Sequence, residues 1–379
     1  MQKRHDVSEV VEIPQNNKKN IIKKILLSLL IIILSLIFIG IVAVLVYINS
    51  IGIKHIDTEK DDIIVDNNND EVLFEDIPEE QVDEYYNIIT AIRDDSDLSA
   101  SLKNWYTNGG DHMYSNNVIN ILIVGIDASG GVPMQGNSDV MMLASINKEE
   151  KKITLCSFLR DSYTYFETSS GNGYYSKLNA AYANGGADCL MRAIENNYKI
   201  KLDYFVAVDF EAFEKVIDAI GGININLTQQ EAKAMENYGG ISGVPYGENT
   251  LLNGEQALLF SRMRKIYVSG DVQRTENQRK VINAIIKKSR TLGVSDLNTV
   301  VQTLGEYVYT DCPTTKIISL GTNAILGKWY DFQVYSMEAP PESAREGYDG
   351  SSWIWLVDYP YSAQYVQKQI YGETNIVIQ

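Results

Sequence analysis

Residues 118–161 read VINILIVGIDASGGVPMQGNSDVMMLASINKEEKKITLCSFLRD, and the fold turns on this stretch. Three runs in it, 118–124, 140–146 and 152–159, are rich in aliphatic and β-branched residues and have the length of strands. Asn147-Lys148-Glu149-Glu150 makes a turn between the second and the third. Laid side by side as an antiparallel meander, the three strands bring the end of the first, the start of the second and the end of the third to one edge of a sheet. Asp127, Asp139 and Arg160 stand at that edge. A turn aspartate alone says little, because such residues are common in turns. Two of them beside Arg160-Asp161 suit Mg²⁺, which takes one or two protein carboxylates together with phosphate oxygens and water.

Outward from this stretch, the spacing predicts a helix over 187–197, a short buried strand over 204–208 and a helix over 210–220 closed by Gly221-Gly222. Residues 223–227 alternate as a strand. Asn253 and Gln256 have the spacing of a capping box and open a short helix to about Ser261. Behind Asp271 a longer helix runs from Val272 to about Leu292. Helices and strands intermix, so the expected class is α/β, a mixed central β-sheet flanked by helices. The aromatic tail from Trp329 to Tyr365 reads as packing rather than as a sugar platform. The chain contains no GxxxxGK[ST], GxGxxG or GxSxG.

Charge and composition narrow the function. With 49 Asp+Glu against 33 Lys+Arg the formal charge is -16, so a general nucleic-acid surface would repel its ligand. Much of the excess lies in 57–97, where sixteen acids face only Lys60 and Arg93, and this stretch reads as a solvated spacer. Val82, Tyr85, Tyr86, Ile89 and Ile92 place a short amphipathic helix at its end. Three cysteines are too few for a disulfide framework, and three histidines exclude a histidine-rich metal site and leave Ser-His or Cys-His chemistry unsupported.

Residues 25–48 are apolar apart from Ser28, Ser35, Gly40 and Tyr47. At about 1.5 Å per residue they make roughly 36 Å of helix, enough to cross a bilayer core of about 30 Å. Six Lys/Arg against three acids in 1–24 put that end in the cytoplasm. The expected organisation is a cytoplasmic tail (1–24), one transmembrane helix (25–48), an acidic extracytoplasmic linker (49–115) and a main domain (116–379) in a bacterial cell membrane.

The long helix carries a further signal. Val281, Ile282, Ile285 and Ile286 form its buried stripe, and extending that stripe backward reaches Gln278 and then Arg274. An inward cation in a first turn is opposed by the helix dipole, and a bound anion would relieve that opposition, as would Asp271. Just upstream, Arg262 and Arg264 share a face of an extended Arg262-Met263-Arg264. Four polar groups thus converge as a phosphate or pyrophosphate cradle, with an exposed ion-pair network as the plainer alternative.

Taken together these residues resemble the LytR-CpsA-Psr family of Gram-positive cell-wall enzymes. The matching stretches are Asn120-Ile-Leu-Ile-Val-Gly-Ile-Asp127, Ser138-Asp139-Val140, Phe158-Leu-Arg160-Asp161, and Lys177-Leu-Asn179-Ala-Ala-Tyr182 through Gly185-Gly186. They continue with Val216-Ile-Asp218-Ala-Ile-Gly221-Gly222, Gly254-Glu-Gln-Ala-Leu258, Arg262-Met-Arg264 and Gly270-Asp271 with Arg274 and Gln278 behind it. The resemblance implies an extracytoplasmic phosphotransferase that moves a teichoic acid or capsular polysaccharide from a polyprenyl pyrophosphate to peptidoglycan. It implies Mg²⁺ at Asp127 and Asp139, and pyrophosphate binding by Arg160, Arg262, Arg264, Arg274 and Gln278, with Lys177 and Asp271 as further motif positions. Asp161 is the expected general base. Where the family usually carries Arg before Ser-Asp, this chain has Asn137, a feature that favours the alternative of a non-catalytic lipid-binding or regulatory membrane protein. A polyprenyl-pyrophosphate hydrolase is a third possibility.

Overall fold

The computed structural model describes residues 54–55, 96–126, 138–267, 271–289, 291, 308–341, 345–349 and 352–377. In chain order its elements begin with β1 (Lys54–His55), α1 (Ser96–Asn108), β2 (Val118–Ile126), β3 (Ser138–Asn147) and β4 (Lys152–Phe158). Next come β5 (Ser162–Glu167), β6 (Gly173–Lys177), α2 (Ala180–Tyr198), β7 (Tyr204–Asp209), α3 (Phe210–Ala219) and β8 (Ile223–Leu227). The remainder is α4 (Gln229–Gly239), β9 (Gly247–Leu252), α5 (Gly254–Arg262), α6 (Asp271–Ser289), β10 (Val308–Thr310), α7 (Thr314–Leu326), β11 (Gln333–Ala339), β12 (Arg345–Asp349), β13 (Ser352–Leu356) and α8 (Tyr359–Tyr371).

The meander forms as its sequence predicts, with β2–β3 and β3–β4 both antiparallel. It lies inside a seven-stranded mixed sheet of order β1-β10-β7-β2-β3-β4-β11, in which β7 runs parallel to β2 and β11 parallel to β4. Strict alternation along β2 gives the sheet two uses. Leu122, Val124 and Ile126 are fully buried in one core with Leu190, Ala193, Ile194 and Tyr198 of α2, while Ile123 and Gly125 point to the other side. On that side a second core joins Ile217, Ile223, Met235, Phe260 and Val281 from α3 through α6.

Several local expectations hold. α3 stops at Gly221-Gly222, both in the left-handed region (φ 75° and 81°) where glycine carries no steric penalty. The Asn253–Gln256 capping box is formed in both directions. α2 starts at Ala180, earlier than the 187–197 expectation, because a turn of helix precedes a break at Gly185 and Gly186.

Other features are new. Helix α1, which falls in the stretch read as linker, packs Leu102 and Tyr106 into the first core, and Trp105 Nε1 donates to the Asn197 carbonyl at 2.8 Å. A second sheet of order β12-β13-β5-β6 flanks the first. The aromatic tail packs in part: Tyr359 is buried and Trp353 meets Trp355 edge-on, whereas Tyr335 and Tyr361 are exposed. No helix among the described residues is long and apolar enough to cross a membrane. The 25–48 stretch and the helix expected at 79–92 lie outside them.

One buried cation serves this packing. Lys199 donates from Nζ to the Tyr106 carbonyl at 3.1 Å and lies over the Trp105 ring, and burial pulls its pKa down to about 8 from 10.5. Burial penalises the ammonium form, so the penalty is full below pH 8 and fades as pH climbs towards 10.5. Lys199→Met is therefore expected to compare best with the parent at pH 7. It should lose ground by up to about 1.4 kcal/mol per pH unit between those values, as urea denaturation across the range would record.

Candidate functional site

Between the sheet and helices α3 to α6 lies a cavity of about 650 Å³. Its floor is Ile123, Gly125, Val140, Met142 and Val208, and Phe213, Met235, Leu258 and Val281 wall it from the four helices. This lining is apolar, and a cavity of that size takes a sizeable organic ligand.

The polar lining comes from the ends of elements. Ile126 pairs with Ser138 on one side and with Asp209 on the other, so Asp139 and Asp209 both stand at the sheet edge foreseen from the meander, and both line the cavity. Arg262 ends α5 and lies 4.3 Å over the ring of Phe210, the neighbour of Asp209. Met263 is buried, so the flanking Arg262 and Arg264 are both turned outward along the mouth, as the i, i+2 spacing predicts. Arg274 and Gln278 lie one helical turn apart in α6 and are only 7% and 8% exposed. They continue the stripe of Val281 and Ile282, and all four line the cavity. Tyr267 pins the segment that carries the arginines, since its hydroxyl donates to Glu231 Oε1 at 2.7 Å and accepts from Asn277 Nδ2 at 3.0 Å. Burial, and the Glu231 carboxylate to which it donates, push the Tyr267 pKa up, so the phenol keeps its proton.

A ladder of charges runs back from the edge. Arg160 Nη1 donates to Asp139 Oδ1 at 2.6 Å, Arg160 Nε lies 3.4 Å from Asp161 Oδ2, and Lys177 Nζ lies 2.7 Å from Asp161 Oδ1. Asp161 is 6% exposed. Each of its oxygens faces a cation, so it ties Arg160 and Lys177 together. Lys177 reaches it because β6 pairs antiparallel with β5, with Lys177 opposite Tyr163.

Of the residues singled out from sequence, the structure thus gathers Asp139, Arg262, Arg264, Arg274 and Gln278 around one cavity, with Arg160, Asp161 and Lys177 linked to it through Asp139. Asp127, Asn137 and the side chain of Asp271 lie outside the described residues. Asp209, Phe210 and Lys265 escaped the sequence reading. Asp209 hid behind a sufficient local reason, since an aspartate between a strand and a helix reads as an N-cap. It is one, accepting from the Ala212 N–H at 2.8 Å.

Comparison with known proteins places this arrangement. The LytR_cpsA_psr family model matches residues 85–359. A protein of Enterococcus faecalis named polyisoprenyl-teichoic acid–peptidoglycan teichoic acid transferase TagU is 35% identical over 214 residues, covering 55% of this chain and 67% of that protein. Biofilm regulatory protein A of Streptococcus mutans is 34% identical over 201 residues, covering 51% of this chain and 49% of its own length. Among solved structures, TagT bound to LIIa-WTA superposes with a TM-score of 0.55 at 25% identity over 69% of this chain and 92% of the other. The matched stretch spans about half to two thirds of those two relatives. Because the family match takes in the meander, the Arg262–Arg264 segment and helix α6 alike, the chain belongs to the LytR_cpsA_psr family.

Proposed function

We propose that this chain transfers a glycopolymer of the teichoic acid or capsular type from a polyprenyl pyrophosphate carrier to peptidoglycan. The observation that carries the reading is a largely apolar cavity of about 650 Å³ whose lining includes three arginines and a glutamine. An isoprenoid chain fits the apolar part, and a pyrophosphate fits donors that are planar, charged and held on fixed elements. The names of the E. faecalis relative and of the TagT structure, which speak of teichoic acid and of a bound ligand called LIIa-WTA, support the same chemistry.

Phosphoryl transfer asks the protein mainly for positioning and for charge placed where it develops. Arg274 and Gln278, nearly buried on a rigid helix, would hold the pyrophosphate against the sheet edge. Arg262 and Arg264 would close over it. Arg160, fixed between Asp139 and Asp161, would face the phosphorus under attack. The donor set also suits Mg²⁺: Asp139 lines the cavity and Arg160 engages only its Oδ1, so its other oxygen would be available to a cation that needs one or two protein carboxylates beside phosphate oxygens. Asp139 and Asp127 are the residues that would hold it, and when bound it would neutralise charge on the phosphate oxygens.

A defined lipid-linked glycan incubated with peptidoglycan tests the reading by its product. Glycan joined to peptidoglycan supports it, and free glycan phosphate would make the chain a hydrolase. Tight lipid binding with neither product would make it a binding or regulatory protein, the direction in which the S. mutans relative is named. We place the domain outside the cell on a helix formed by 25–48, beside a substrate that lives in the same membrane. A reporter fused after Gln379 should then work only in a form active outside the membrane, and cytoplasmic activity would overturn the placement.

A further inference from the structure

The acceptor hydroxyl must lose its proton during transfer, and the carboxylates at the cavity edge differ in their freedom to take it. Asp161 has a cation at each oxygen, Lys177 at 2.7 Å and Arg160 at 3.4 Å. Asp139 gives Oδ1 to Arg160 at 2.6 Å, and its other oxygen is the one proposed above for Mg²⁺. Lys265 and the arginines of the lining are cations and accept nothing. Asp209 lines the same cavity, and no ion pair joins it among the described residues. It sits at the C-terminal end of β7, level with Ile126 of β2, and β2 alone separates it from the start of β3, where Asp139 follows Ser138. Its Oδ1 is fixed by the Ala212 N–H at 2.8 Å, which orients the carboxylate, and Oδ2 meets no hydrogen-bond or ion-pair partner among the described residues.

We infer that Asp209 is the general base of the transfer, an inference that rests on the glycopolymer-transferase reading. The acceptor oxygen forms a bond to the phosphorus that carries the glycan, and the bond from that phosphorus to the bridging oxygen breaks. The electron pair leaves with the polyprenyl phosphate, and the acceptor proton passes to Asp209 Oδ2 and on to solvent. A side chain held by a helix cap is already in place before the acceptor arrives, so no rotamer has to be ordered during the reaction.

The cap makes the test clean, because asparagine and serine cap a helix about as well as aspartate but take no proton at neutral pH. Asp209→Asn should keep its melting temperature and its affinity for a synthetic prenyl pyrophosphate disaccharide. Its single-turnover transfer to peptidoglycan oligosaccharides should fall by about 10² to 10⁴-fold, and the acidic limb of the parent's pH–rate profile should vanish. Asp209→Ser repeats the measurement if the asparagine variant does not fold. Transfer within threefold of the parent would overturn the inference. So would a loss restored by raising Mg²⁺, which would make Asp209 a metal ligand, or a loss matched by weaker lipid binding, which would make it a binding group. A parent chain that binds the donor and transfers nothing would instead overturn the transferase reading, and this inference with it.

Discussion

Asp139→Asn is expected to lower single-turnover transfer by at least about 10²-fold while leaving the fold intact, an effect of the size seen when one charge-placing group is taken from a transition state. The sequence places two carboxylates together, Asp127 with Asp139, and on that basis the substitution would keep stability or even raise it by relieving repulsion. The structure also gives Asp139 a cation, Arg160 at 2.6 Å. With side chains 19% and 23% exposed, this pair is neither free in water nor sealed. Its loss should cost about 1 kcal/mol and no more, because Arg160 keeps Asp161 as a partner. Urea denaturation without lipid reads the stability, and transfer with and without a chelator reads the chemistry. Transfer that survives both the substitution and the chelator would discard the proposed role of Asp139.

Replacing Arg262 and Arg264 together with alanine should weaken binding of a polyprenyl pyrophosphate by well over tenfold. Each guanidinium can give the pyrophosphate charge-assisted hydrogen bonds worth roughly 1.5 to 3 kcal/mol, and about 1.4 kcal/mol is tenfold in affinity. Both side chains are exposed, so little of the fold depends on them, and a change in melting temperature should stay small. Arg262 also covers the Phe210 ring at 4.3 Å, which makes Arg264→Ala alone the cleaner single variant. Titration calorimetry with a short-chain prenyl pyrophosphate measures the loss. Unchanged affinity in the folded double variant would reject the cradle.

What the sequence disclosed and what it kept back follow from range. The capping box at Asn253, the stop at Gly221-Gly222 and the inward stripe of α6 are each written within a few residues, the meander within about forty, and all are legible. The pairing of β4 with β11 joins residues some 180 positions apart, Lys152 opposite Gln333, and no local pattern announces it. Nor does any local pattern pair Lys177 with Asp161, which the return from β5 to β6 brings within 2.7 Å. Helix α1 was absorbed into an acidic stretch because charge dominated its neighbourhood, although Leu102 and Tyr106 are core residues. Asp209 shows the opposite failure. Its local role was complete, so nothing in the sequence asked for a second one.

The four donors of the cradle also differ in what salt can do to them. Arg262 and Arg264 stand in water, whereas Arg274 and Gln278 are more than nine-tenths covered. Ions screen exposed charges beyond about 10 Å at 0.1 M and about 3 Å at 1 M, and reach buried groups far less. Raising ionic strength should therefore slow the arrival of a lipid pyrophosphate while leaving its departure nearly unchanged. Salt around the protein would then set the rate of loading without touching the grip.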